Sequence, residues 1–93
     1  NMKQMMEIKQ KMDEVKKRLD TITVVEENEY VRITVTGNRK IKDITILKND
    51  DVVKLEGKLQ SGINAALEKA DNVMQAEMMG ATKGMMPGGL PGM

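Results

Sequence analysis

The chain has 93 residues, with 15 basic and 14 acidic side chains and a formal net charge of +1, so bulk charge alone does not announce a nucleic-acid partner. A domain of this size hides only about 60 to 65 percent of the surface that its unfolded chain exposes. With no Phe, no Trp, no Cys and one aromatic residue, Tyr30, the core is built from aliphatic residues and an unusual supply of Met, without disulfide staples, and association with a second copy is the natural remedy.

From Asn1 to about Asp20, Met5, Ile8, Met12, Val15 and Leu19 recur at spacings of three and four, which predicts an amphipathic helix. Its apolar stripe is shorter than the three or four heptads of a free-standing coiled coil, so it is expected to pack on another element. Between Thr21 and Leu47 the period changes to two: Ile22 and Val24, then Val31, Ile33 and Val35 alternating with Arg32, Thr34 and Thr36, then Ile44 and Ile46. Three short strands in an antiparallel meander are predicted, with Glu26 to Glu29 as the first turn and Gly37-Asn38 as the second, where a positive backbone angle is expected. One face is apolar, so a single layer of helices covers it.

Asn49, Asp50 and Asp51 offer a capping side chain and acids suited to a helix start. A second helix follows, with Leu55, Leu59, Ile63, Ala66, Leu67, Ala70, Val73 and Met74 on one stripe, running to about Met79 before Gly80 stops it. Gly57 and Gly62 interrupt it at a cost of about 1 kcal/mol each relative to Ala, which points to a bend or a close backbone approach, more at Gly62 than at Gly57. The fold class is therefore α+β, one domain over residues 1–80 followed by a flexible Gly/Met/Pro tail at 81–93. The expected core and dimer residues are Val31, Ile33, Val35, Ile44, Ile46, Leu59, Ile63 and Leu67.

Two basic clusters stand out. With Met5 at heptad position a, Lys9 and Lys16 fall at e and Lys11 and Arg18 at g, bordering the apolar seam, with Lys17 beside the last two. Glu7, Asp13, Glu14 and Asp20 lie on the back. The second cluster is Arg39, Lys40 and Lys42, at and just after a tight turn, where exposed cations reach phosphates without disturbing a fold. A purely structural role fits the same residues: Lys stems covering a seam, Glu7 with Lys11 and Glu14 with Arg18 as helix pairs, and turn lysines for solubility. From Asp51 onward four bases face five acids, so that half carries no comparable candidate.

Without His, Cys or a Gly-rich phosphate loop the usual nucleophile, base and zinc ligands are missing, and the carboxylates that paired acid/base chemistry would need, Glu26, Glu27 and Glu29, crowd a turn where solvated acids are expected, so neither an enzyme nor a cofactor is expected. Ten Met residues suit monovalent copper in principle, but Met5, Met12 and Met74 lie on apolar helix faces and Met85, Met86 and Met93 in the tail, where core filling and tail composition account for them. No apolar run reaches the length of a spanning helix and no basic leader opens the chain, so a soluble cytoplasmic protein is expected, and the acids on the back of the first helix argue against membrane-surface binding.

The order helix, three strands, long helix, Gly/Met/Pro tail resembles the YbaB/EbfC family across nearly the whole chain. The string MKQMMEIKQKMDEVKKRL resembles that family's first helix, YVRITVTGNRKIKDITI its strand core with a Gly at the turn, Asn64, Ala66 and Leu67 a small-residue stretch of its second helix, and ATKGMMPGGLPGM its tail. The segment Leu47 to Asp51 lacks the family's customary Asp-Pro. The resemblance implies a nucleoid-associated, DNA-binding homodimer whose helices project like the arms of tweezers, and it favours Lys9, Lys11, Lys16, Lys17, Arg18, Arg39, Lys40 and Lys42 as DNA contacts. With one Tyr and no recognition-helix array, duplex DNA of modest sequence preference is the expected partner. The alternative is a protein-interaction module in which the Met-rich first helix docks another protein and DNA binding is incidental.

Overall fold

A computed structural model describes residues 2–82. The chain runs α1 (Met2–Thr21), β1 (Thr23–Glu27), β2 (Val31–Thr36), β3 (Ile41–Ile46) and α2 (Val52–Thr82). The α+β architecture follows the expectation, with an antiparallel sheet in the order β1-β2-β3.

Val31, Ile33 and Val35 of the central strand are fully buried on one face. Residues directly opposite each other across a ladder share a face. Val24 opposite Val35 and Glu26 opposite Ile33 therefore extend that inner face onto β1, while Ile46, Ile44 and Ile41 opposite Val31, Ile33 and Val35 extend it onto β3. Ile41 and Ile44 are an odd number of residues apart, and a bulge reconciles them. Thr34 pairs with Asp43 but Val35 with Ile41, so Lys42 is the extra residue and Ile41 returns to the inner side.

Asp51 caps α2: its carboxylate accepts from the Lys54 amide at 3.1 Å and its carbonyl from the Leu55 amide at 2.9 Å. From there α2 lies over β1 and β2, packing Leu55, Leu59, Ile63 and Leu67 against a core of Tyr30, Val31, Ile33, Val35, Ala66 and Ala70. Gly62 makes this approach possible, because a Cβ there would lie 3.0 Å from Ile33 Cδ1 and 3.2 Å from both Val31 Cγ2 and Asn28 Nδ2. Gly57 has open space around it. α1 packs on α2 and touches β2, burying Val15 and Leu19.

Four expectations need correction. The first turn is shorter than Glu26 to Glu29, because Glu26 and Glu27 belong to β1, where Glu26 pairs with Lys69 and Glu27 with Arg32. The reversal is made by Asn28, whose side-chain oxygen accepts from the amides of Tyr30 and Val31 while its Nδ2 donates to the Lys58 carbonyl. Gly80 does not end α2, which continues to Thr82 across the boundary expected at residue 80; the rest of the expected tail lies outside the described residues. The helical layer covers only two strands, so Ile44 and Ile46 do not join the core of the single chain: Ile41, Ile44 and Ile46 remain 48%, 39% and 46% exposed. Finally, the apolar stripe of α1 is not packed along its length. Residues 2–11 are all exposed, Met5 and Ile8 included, and burial begins near Met12.

Candidate nucleic-acid interface

The β2–β3 turn is docked onto the end of α1. The Gly37 amide donates to the carbonyls of Leu19 and Ile22, each at 3.0 Å. The fit leaves no room for a side chain, since a Cβ on Gly37 would sit 2.8 Å from Leu19 Cδ2. Asn38 Nδ2 donates to the Lys16 carbonyl at 3.0 Å and also to the Asp20 carboxylate. The turn closes through Arg39 N to Thr36 O and Thr36 N to Lys40 O, both at 2.8 Å. The positive φ falls at Arg39 (64°) rather than at Gly37 or Asn38; Gly37 is needed for space, and the left-handed residue is a non-glycine.

This docking brings the two basic clusters together. The last turns of α1 carry Lys16, Lys17 and Arg18, and the turn resting on them carries Arg39 and Lys40, all exposed. Lys42 follows at the bulge on β3. Lys9 is not brought into this corner: it lies seven residues before Lys16, about 10 Å along the helix axis. Lys11 stands between them, 4.0 Å from Glu14.

The ion pairs differ from those the helix spacing predicts. Arg18 does not pair with Glu14; its Nε reaches Glu77 Oε1 of α2 at 2.6 Å. Arg39 Nη1 lies 3.6 Å from Asp71 Oδ1 of α2, beside a groove lined by Asn38, Arg39, Asn64, Leu67, Glu68 and Asp71. Among the described residues, Lys9, Lys16, Lys17, Lys40 and Lys42 enter no ion pair. Asp71 and Glu77 had no visible sequence signal, since Arg18 and Glu77 are 59 residues apart and meet only when α2 folds back along α1. Asn38 was legible as a turn residue, not as the clamp between turn and helix.

At the opposite end of β2 a third charged group forms. Lys48 Nζ lies 2.9 Å from Glu29, 3.8 Å from Asp50 and 5.3 Å from the Tyr30 ring centroid. The hydrogen bond and charge of Lys48 hold the Glu29 carboxyl below its ordinary range, and the same bond, with Asp50, raises Lys48. Burial, followed by Asp50, raises the Tyr30 phenol. Lys54 and Lys58 of α2 lower Glu29 further, so this end carries charges of both signs.

Among the described residues a small α+β domain thus presents an exposed corner of basic side chains where the β2–β3 turn rests on α1. The match to known proteins agrees: residues 1–85 fit the YbaB/EbfC DNA-binding family, and the chain belongs to that family. It is 38% identical over 91 residues to a nucleoid-associated protein of Flavobacterium johnsoniae, covering 94% of this chain and 85% of that one. A nucleoid-associated protein of Ruminiclostridium cellulolyticum is 38% identical over 98 residues, covering 99% and 84%, and one of Chlorobium phaeobacteroides 35% over 91 residues, covering 94% and 82%. The family is one of DNA-binding proteins rather than of enzymes. No helix among the described residues is long and apolar enough to cross a membrane.

Proposed function

We propose that the chain acts in the cytoplasm as a homodimer that binds duplex DNA with modest sequence preference and so influences nucleoid organisation or gene expression. The observation that carries the reading is the clamp of Gly37 and Asn38 on the end of α1, which gathers Lys16, Lys17, Arg18, Arg39 and Lys40 at one exposed corner. Exposed lysines without carboxylate partners suit phosphate contacts, which position a protein without reading sequence. Pairing of two copies is supported by the apolar inner side of β3, where Ile41, Ile44 and Ile46 stay exposed and Leu47 follows them in the chain, also exposed. A two-fold dimer built there carries two equivalent basic corners, an arrangement suited to bridging or to a short inverted repeat.

Replacing Lys9, Lys11, Lys16 and Arg18 together by Glu is expected to abolish the mobility shift of a fixed duplex while leaving the dimer mass unchanged. Retained DNA binding in that variant would remove α1 from the interface. A second reading has its own observation: Met2, Met5, Met6 and Ile8 are exposed along α1, an adaptable apolar face that suits a protein partner. Replacing Met5, Met6 and Ile8 by Gln separates the two, because it leaves every cation in place and DNA retention intact if phosphate contact is the function.

A further inference from the structure

Both arginines of the basic corner are held by carboxylates of one helix, whereas the lysines beside them are not. Arg18 is bound to Glu77 at 2.6 Å and Arg39 to Asp71 at 3.6 Å, both acids lying on the second half of α2. The arginine and carboxylate side chains of each pair are all partly exposed, at 53% and 30% for Arg18 and Glu77, and 54% and 42% for Arg39 and Asp71. We infer that Asp71 and Glu77 occupy the arginines in the absence of DNA and set the affinity of the corner by competing with phosphate for them. The inference rests on the DNA-binding reading and adds to it an internal competitor.

The chemistry favours such an exchange. A guanidinium presents a planar fork that matches a carboxylate and a phosphate with the same geometry, so the acids are stand-ins for the ligand. Exposed pairs of this kind contribute little to stability, and an incoming phosphate can displace them. Arg39 is held at a φ of 64°, a left-handed conformation unfavourable for a non-glycine residue, and from there its guanidinium reaches the groove wall containing Asp71. The α2 acids also stay near the corner after exchange, where they repel phosphates and weaken every neighbouring lysine contact. Lys16, Lys17 and Lys40, with no such partner, are left to attract the duplex in its first encounter.

The test is a salt series of duplex mobility shifts with Asp71→Asn, Glu77→Gln and the double variant, each checked for an unchanged melting transition. Glu56→Gln is the control. It makes the same change in charge on the same helix, about 20 Å or more from Asp71 and Glu77 along the axis. Each corner variant is expected to bind about two- to fivefold more tightly than wild type, the range an exposed ion pair of ~0.4 to 1 kcal/mol converts to. The salt dependence should also steepen by up to about one unit for each arginine newly paired with phosphate. Equal tightening in Glu56→Gln would show a general charge effect and overturn the inference. Unchanged or weaker binding in Asp71→Asn and Glu77→Gln would also overturn it, the latter making the acids positioning residues for the arginines. A wild-type protein with no affinity for DNA at low salt would overturn the DNA-binding reading itself, an outcome distinct from either.

Discussion

Gly57 and Gly62 both interrupt α2, and only one of them is explained by packing. Ala at 62 would press its methyl against Ile33, Val31 and Asn28, the first two fully buried and the third held by its bond to the Lys58 carbonyl. Overpacking of this kind costs about 1 to 3 kcal/mol, more than the helix gains from replacing Gly. Thermal unfolding should therefore show Gly62→Ala destabilised, and Gly57→Ala, with nothing within 4 Å of its new methyl, stabilised by about 0.5 to 1 kcal/mol. The Glu29–Lys48 pair predicts a pH effect of definite sign. A carboxyl whose value is lowered on folding supports the fold at neutral pH and loses that support as pH falls below about 4.5 and through its folded value. Lys48 and Tyr30, both raised, support it at neutral pH and lose that support in the alkaline range, above about 10. Lys48→Met should flatten the acid limb of a stability curve measured by denaturant titration; an acid limb identical to wild type would remove this pair from the account.

At the scale of elements, periodicity carried most of the fold. The period of α1, the alternation of Val31, Ile33 and Val35 and the stripe of α2 each reflect a local rule, so they could be read before any contact was known. The misses were non-local or fell where two residues compete for a role. Glu26 and Glu27 read as turn residues because acids favour solvent, yet cross-strand and helix partners hold them in β1. Ile41 is not legible as an inner-face residue, because the bulge at Lys42 breaks simple alternation. The basic clusters were visible as clusters; their convergence depended on the Asn38 and Gly37 bonds, and the neutralising acids on the return of α2. The open inner side of β3 yields its own prediction. Ile44→Asp with Ile46→Asp places charge on residues already exposed in one chain, so the fold should persist while the mass in solution drops from about twice that of a single chain to that of one. An unaltered dimer mass would move the interface elsewhere.

For the molecule as a whole, a short chain with a thin aliphatic core would gain from association, and the proposed pairing through β3 would use a face other than the corner formed by α1 and the β2–β3 turn. The near-neutral total charge is no obstacle, because the acids that reach the corner, Asp20, Asp71 and Glu77, are taken up by Asn38, Arg39 and Arg18, while among the described residues Lys16, Lys17 and Lys40 enter no ion pair there. The proposed binding through lysines would be electrostatic and would fall steeply with salt. The most direct measurement is the slope of log affinity against log salt for a fixed duplex, compared between wild type and Lys16→Glu/Lys17→Glu/Lys40→Glu. Weaker binding and a slope reduced by about 2 or more are expected in the variant, as phosphate contacts are lost. An identical slope and affinity in the variant would contradict the proposed lysine contacts.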